Sequence, residues 1–452
     1  MSSDYLQQVR SQYEQYPYPP RDPAHERERL VETQGDFLDV VNFYCYEGRR
    51  DFAPGFRALV AGCGTGDAAV FLAEQLLETG GEVVALDFSE SSLQIARARS
   101  EARRLPNIRY VRAALQDLPS LAVGEFDYIN CTGVLHHLAD PDMGLRTLAR
   151  VLKQGGAIHL MVYGAYGRAP IYPIQQLLRR IAGPDLRAGE RIRLAKKLIE
   201  QLPASNPFKK EYARLAHDIV QFGDAGLFDL LLHAQDRPYT VAQLYALVEN
   251  AGLRLVAPDS YGGGGKTCYS PASYLKDPEL LALVADRPLP ERHAIAELLA
   301  GDMSTHACYV TQRAVDPPLF EERSAIPFIP AAWAEADAHL ALHREMLQKL
   351  GEPMSVAFRG SGLGISFRAS AAAARILRYL DGERSTEEIC ALAQADAGSV
   401  PGAAKVTGEV LLAEFAALYR AFNALDWMLL RRPGSRAMRS GAQLQRRMLQ
   451  RT

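Results

Sequence analysis

One glycine-rich turn limits what this chain can fold into more than any other stretch. Leu59-Val60-Ala61-Gly62-Cys63-Gly64-Thr65-Gly66 closes an apolar run and opens an apolar-periodic one. Glycines are needed where a strand hands over sharply to a helix beside a close ligand, because no Cβ fits there. Strands and helices alternate around it. Residues 57–61 read as a strand, 67–78 as a helix, 83–87 as a strand and about 90–104 as a helix. Residues 108–112 and 126–131 are the third and fourth strands. The next helix shows Leu145, Leu148, Ala149 and Leu152 on one face and stops at Gly155 and Gly156, before a fifth strand over 157–163. This alternation specifies an α/β, Rossmann-like parallel sheet with helices on both faces.

The remainder divides by pattern. Residues 1–50 form an N-terminal lid and helical segment. Tyr13, Tyr16, Pro17, Tyr18, Pro19 and Pro20 crowd its first part, and a helix is expected over 24–46. The sheet domain spans 51–315, with a helical insertion at 164–238. A helix over 240–251, a strand over 253–257 and a last strand over 307–311, antiparallel beside its predecessor, would bring the sheet to seven strands. Residues 316–351 read as a helical linker. Residues 352–433 read as a small α+β, winged-helix-like domain. It starts with a hairpin around Gly360, Gly362 and Gly364, followed by a helix capped by Ser370. A Ser385/Glu388 capping box starts the next helix. A longer helix carries Leu411, Phe415, Leu418, Phe422 and Leu425 on one face, and a short strand follows at 427–430. From Arg431 onward there are seven arginines and no acid, so 434–452 is expected to be a basic, disordered tail.

Bulk properties exclude several function classes. A net charge of −2 over 452 residues gives no global field to draw nucleic acid or a membrane surface. No apolar run would span a bilayer, and Met1 to Arg10 lacks the apolar core of a secretion signal. The six cysteines fall in no CxxC pair and no zinc-type spacing, so no metal is expected. Scattered thiols fit a reducing cytoplasm. Gly262-Gly263-Gly264-Gly265-Lys266-Thr267 is similar to a phosphate-binding loop. The first glycine of that pattern would fall on Ser260, and Pro271 leaves little room for its helix. A flexible loop near the acceptor entrance is the expectation.

Asp87 ends the second strand, where a carboxylate can accept both hydroxyls of a ribose. LVAGCGTGD, VVALDFSESSLQIAR, YVRAALQDLP, FDYINCTGVLHHLADP and LARVLKQGGAIHLMVYG follow in unbroken order over 57–163. On these stretches the chain resembles the class I S-adenosylmethionine-dependent methyltransferases, with weaker similarity to about residue 313. The resemblance implies the seven-stranded methyltransferase sheet and S-adenosylmethionine as cofactor. It implies that Gly62, Gly64 and Gly66, with Cys63 between them, line the methionine part and that Asp87 holds the ribose. It also implies that Phe88 packs on the adenine and that Asp117 faces the adenine amino group. The chain departs from the family at Val60, where an acid commonly precedes the first glycine by two positions. The glycine carbonyls remain to bind the methionine ammonium. A nicotinamide-dependent oxidoreductase would share the glycine turn, but the later segments fit methyltransferases better.

Candidates on the acceptor side have both a functional and a plain reading. His136, foremost, and His137 beside it follow the fourth strand and suit a general base, or simply pack beside the cofactor. Tyr163 and Arg168 stand in a loop at the same edge, where Arg168 clamps an anion or is a solvated charge. His233, Asp236, Arg237 and Tyr239 cluster before a helix start, as an acceptor site or as a capped helix entry with an ion pair. Tyr13, Tyr16 and Tyr18 wall the acceptor cavity or form a surface strap. The YPYP element and the 232–240 stretch resemble a bacterial methyltransferase subgroup. ILRYLDGERSTEEICALA is similar to small peptide-binding chaperone domains of peptide-modifying enzymes and to the C-terminal winged-helix module of some bacterial protein lysine methyltransferases. The expectation is methyl transfer to an N or O nucleophile, leaning to a protein or peptide side chain. The alternatives are a small-metabolite methyltransferase and a non-catalytic scaffold that binds the cofactor or a partner. No membrane or nucleic-acid partner is expected, and the oligomeric state is not encoded legibly.

Overall fold

The computed structural model describes residues 3–183, 185–259, 265–332, 338–357, 364–396 and 407–451. Gly262, Gly263 and Gly264 of the loop similar to a phosphate-binding turn, and Gly360 and Gly362 of the expected hairpin, lie outside the described residues.

A seven-stranded sheet forms the centre. Its strands are β1 (Arg57–Ala61), β2 (Glu82–Asp87), β3 (Ile108–Arg112), β4 (Phe126–Thr132), β5 (Leu152–Tyr163), β6 (Arg254–Pro258) and β7 (Thr305–Thr311), in the order β3-β2-β1-β4-β5-β7-β6. The first five run parallel, and β7 inserts antiparallel between β5 and β6. Ala58 to Ala61 of β1 are buried on both faces, as a central strand under two helical layers must be. The strand order reverses between β1 and β4, which opens a crevice beyond their C-terminal ends. β5 starts at Leu152, earlier than its glycines suggest. Gly155 and Gly156 stay in the strand, beside a register shift between Phe126 and Tyr128 that takes up the extra length.

The N-terminal segment departs from its pattern. Helix α1 (Ser3–Gln15) lies where only aromatics and prolines stood out, and the helix expected over 24–46 shrinks to α2 (Leu38–Cys45). Short 3-10 turns at Pro23–Arg27 and Gln34–Asp36 replace the rest. Contacts decide this: a Cβ on Gly35 would lie 2.0 Å from the His159 ring, so the chain is pressed flat against the sheet there.

The insertion at 164–238 is helical, as expected, with helices at Ile171–Ile181, Ala188–Gln201 and His217–Leu227 around a small core of its own. The 316–351 segment is more than a linker. Ile326–Phe328 pairs antiparallel with Leu429–Arg431, and His343 in the helix Ala338–Gln348 bonds the Ala374 carbonyl. The C-terminal unit therefore begins before residue 352. Its apolar residues, Phe415 and Met428 among them, join one continuous core with Tyr44 and Phe71 of the sheet domain. The basic end is not a solvated tail. Gly441–Gln450 is a helix with Leu444 and Met448 buried. Arg436, Arg439 and Arg447 converge on Glu78, and Arg451 reaches Glu74. The acids that answer this arginine run lie more than 350 residues away, beyond the reach of local pattern. No described helix is long and apolar enough to cross a membrane.

Two fully buried arginines of helix α4 (Glu90–Ala102) and its end tie these parts together. Arg99 pairs with Glu26 and with Asp67 at the start of α3 (Asp67–Leu76). Arg103 pairs with Glu26 at 3.2 Å and with Glu74 at 2.7 Å. Removing one partner of a buried ion pair strands the other. Glu26→Ala is therefore expected to lower unfolding stability by about 3–5 kcal/mol in urea titration. A loss below about 1 kcal/mol, the scale of an exposed pair, would show that this network does not anchor the segment.

Candidate functional site

A cavity of about 640 Å³ lies beyond the C-terminal ends of β1, β2 and β4. The glycine turn forms one wall. Gly62 (φ +77°) and Gly64 (φ +51°) both have left-handed backbone. A Cβ on Gly62 would come within 2.5 Å of Val134, and one on Gly64 within 2.7 Å of the Tyr18 carbonyl. Cys63 lines the same wall. Asp87, almost fully buried, accepts the Gly64 N–H at 2.8 Å and the Ser89 N–H at 2.9 Å. Burial raises its pKa, and these backbone donors partly offset the rise. Each oxygen keeps acceptor capacity, so the group suits a vicinal diol. Phe88 lines the cavity beside it, edge-on to Tyr13.

Two expected cofactor residues lie elsewhere. A Cβ on Gly66 would meet Ala96 at 2.8 Å, so this glycine lets α3 pack on α4 and does not line the cavity. Asp117 is exposed on the 3-10 turn Leu115–Ser120, outside the lining. The order of the motifs placed both correctly in the chain, but which way each backbone turned was set by packing.

The N-terminal segment covers the cavity as a strap. Thr65 donates to the Pro19 carbonyl at 2.6 Å, Ser89 to the Tyr13 carbonyl at 3.2 Å, and Arg21 makes a forked pair with Asp67. Glu14 caps α4, accepting from the Glu90 and Ser91 N–H groups at 2.9 Å each. Burial works against its ionisation, but these donors win and hold it at about 2, a carboxylate stabilised at a helix N-terminus. Tyr13 and Tyr18 reach the cavity. Tyr16 does not, because it stacks on Phe228 at 5.4 Å in the core of the insertion.

The opposite wall is polar, and the Gln235 peptide organises it. Its carbonyl accepts from His137 Nδ1 at 2.8 Å, which leaves Nε2 as the acceptor of that ring. Its N–H donates to His233 Nδ1 at 3.1 Å, which puts the proton of that ring on Nε2. His233 Nε2 then donates to the Tyr13 oxygen at 3.3 Å, and Tyr13 donates to Asp229 at 3.0 Å, with Tyr163 on its other oxygen at 3.4 Å. Burial, reinforced by Asp229, raises the Tyr13 hydroxyl pKa and keeps it a donor. Burial, reinforced by His137, drops the His233 pKa and keeps it neutral. His137, Asp229 and His233 lie close enough to share a cation. The proton that Gln235 fixes on His233 Nε2 makes the group a hydrogen-bond chain instead.

His136 is a correction. It is fully buried, stacks on Tyr163 at 3.8 Å and does not line the cavity, whereas His137 does. The cluster from 233 to 239 also divides. His233 does not line the cavity but stands behind the polar wall, bonded to Tyr13. Asp236 sits behind it, bonded to Gln175 at 2.9 Å and paired with Arg168 at 3.4 Å. Arg168 does face the cavity, with its guanidinium 3.5 Å above the Tyr163 ring. Arg237 is exposed and Tyr239 extends the backbone pairing of Tyr163, so neither reaches the site. Sequence reasoning missed Asp229. Its signal was a lone acid inside the apolar run Leu227 to Leu232, a placement that is costly unless the group is paired. It stands in a π turn, Phe228–Leu232, a distortion common at functional sites. Gly64→Ala should force the Tyr18 carbonyl off the turn. The expected result is faster proteolysis within the first 23 residues at unchanged sheet content; unchanged cleavage would show that the strap does not rest there.

Residues 58–156 match the family model described as a methyltransferase domain. An uncharacterised protein of Synechococcus sp. (strain ATCC 27144 / PCC 6301 / SAUG 1402/1) is 33% identical over 258 residues, 56% of this chain and 60% of that protein. The ubiquinone biosynthesis O-methyltransferase of Acinetobacter baylyi is 29% identical over 104 residues, 23% of this chain and 42% of that enzyme. The chain thus covers less than two thirds of either relative. Among solved structures, PKMT2 from Rickettsia typhi, in complex with AdoHcy, shares the fold with a TM-score of 0.61 at 13% identity, over 92% of this chain and 78% of that one. Residues 58–156 thus match a methyltransferase domain, and the strand order and glycine turn around them are those of a Rossmann-like methyltransferase fold.

Proposed function

We propose that this chain transfers a methyl group from S-adenosylmethionine to a nitrogen of a polypeptide side chain. The observation that carries the reading is that one cavity is lined both by the glycine turn with Asp87 and by the wall of His137, Tyr13 and Asp229. Its volume falls within the range of about 300–1,000 Å³ usual for ligand sites. The residues fit the cofactor: Gly62 and Gly64 keep Cβ atoms out of the wall, and Asp87 offers acceptors for two ribose hydroxyls. S-adenosylmethionine supplies an already activated sulfonium methyl.

The protein's task is then to orient the nucleophile, which is worth about 7–11 kcal/mol where the geometry is ideal. A side-chain amine reaches the cavity as an ammonium and must lose a proton before it can attack. His137, its Nδ1–H held by Gln235, takes that proton on Nε2, and the neighbouring Asp229 balances the imidazolium. Tyr13 and Tyr163 hold the Asp229 carboxylate in place.

Support for a polypeptide acceptor comes from the C-terminal unit. The fold shared with PKMT2 extends over 92% of the chain and so takes in that unit, whose sequence resembles the winged-helix module of some bacterial protein lysine methyltransferases. The O-methyltransferase relative, matched over 23% of the chain, favours a small-molecule acceptor instead.

Incubation with S-adenosylmethionine tritiated on the methyl group and a cell extract separates the two. Base-stable label in the macromolecular fraction is expected. Label confined to small molecules would overturn the polypeptide acceptor, and no label despite cofactor binding would overturn turnover itself. Asp87→Ala is expected to weaken S-adenosylmethionine binding tenfold or more by calorimetry; unchanged affinity in a folded variant would remove Asp87 from the site. His137→Gln is expected to lower transfer by about 10²-fold or more without changing cofactor affinity, and full activity would exclude it as the base.

A further inference from the structure

The acid absent at Val60 has a neighbour in space. Val60 of β1 and Asn130 of β4 are register partners, as are Asn130 and His159 of β5, so all three side chains share one face of the sheet. The Asn130 amide reaches both oxygens of Asp36 at 2.9 Å. Asp36 comes from the turn Gln34–Asp36 and lines the cavity together with Val60, Gly62 and Asn130.

The company Asp36 keeps is unusual for a buried acid. Thr33 donates to it at 2.6 Å and Tyr128 at 2.8 Å. Those two hydroxyls and the shared Asn130 N–H are its donors, which leaves acceptor capacity on a two-oxygen carboxylate. Glu26, also buried by the N-terminal segment, has two arginines. Among the described ion pairs none joins an arginine or lysine to Asp36. His159, next along the row, is bonded to Thr132 at 3.3 Å and Asp259 at 3.0 Å. Burial pushes the Asp36 carboxyl up, and the neighbouring His159 offsets only part of the rise. A buried carboxylate on a cavity wall whose hydrogen-bond donors are Thr33, Tyr128 and Asn130 has a place for a cation.

We propose that Asp36 binds the ammonium of the cofactor's methionine part, a carboxylate delivered by the N-terminal segment in place of the one missing from β1. This rests on the reading of the cavity as the S-adenosylmethionine site. The amine is mostly protonated at neutral pH and forms a charge-assisted bond to a preplaced oxygen. The strap then takes part in cofactor binding and is not only a cover.

The test is calorimetric titration of the full chain and its Asp36→Asn variant with S-adenosylmethionine and with 5′-methylthioadenosine, which has the adenosine and thioether but neither ammonium nor carboxylate. The expected result is at least a tenfold loss of S-adenosylmethionine affinity in the variant, with 5′-methylthioadenosine binding unchanged. Equal loss for both ligands, or no loss, overturns the assignment of Asp36 alone. An unaltered chain that binds neither ligand overturns the cofactor site and this inference with it. Should the variant fail to fold, a crystal structure of the unaltered chain with S-adenosylhomocysteine decides. An ammonium within hydrogen-bond distance of Asp36 supports the assignment, and one held only by glycine-turn carbonyls overturns it.

Discussion

Arg99 and Arg103 have no exposed side-chain surface, and the active face of the molecule depends on how they are neutralised. Guanidiniums this deep are tolerated only with geometrically good carboxylate partners. The partners come from three places: Glu26 in the N-terminal segment, Asp67 just after the glycine turn, and Glu74 two turns further along the same face of α3. Meeting the charge requirement of α4 therefore presses the strap onto the glycine turn. Once it is there, Gly64 must lack a Cβ, Thr65 can bond the Pro19 carbonyl, and Tyr13 and Tyr18 arrive at the cavity.

The polar wall is governed by a smaller device of the same kind. One peptide, that of Gln235, donates to one imidazole and accepts from another, so the two histidines carry their protons on opposite nitrogens. Identical side chains thereby take different roles, His137 with an accepting Nε2 and His233 with a donating one. The strap enters here too, since Tyr13 carries the bond from His233 to Asp229. Cofactor side and acceptor side share one segment, and a displacement of residues 9–21 would disturb both.

The sequence made the sheet legible. Strands at 57–61, 108–112 and 307–311 lie within or coincide with the observed ones, and the antiparallel seventh strand takes the expected place. Period and turn chemistry are local, and so they survive folding unchanged. The place of Gly62, Gly64, Asp87 and Phe88 in the cavity lining was legible for the same reason: their positions follow from strand ends. Asp117 and Gly66 stand outside the lining, because motif order fixes neither which way the Asp117 side chain turns nor what packs against Gly66.

Pattern alone determined the fold class, the cofactor side and the helical insertion, because apolar periodicity and glycine placement act within a few residues of themselves. Only the tertiary structure decided between His136 and His137, brought Asp229 and Asp36 to the cavity, and folded the arginine-rich end against Glu74 and Glu78. Each of those outcomes depends on a partner 94 to 377 residues away in the chain. A buried charge or a ring nitrogen takes its role from what touches it, and that contact exists only once the chain has folded.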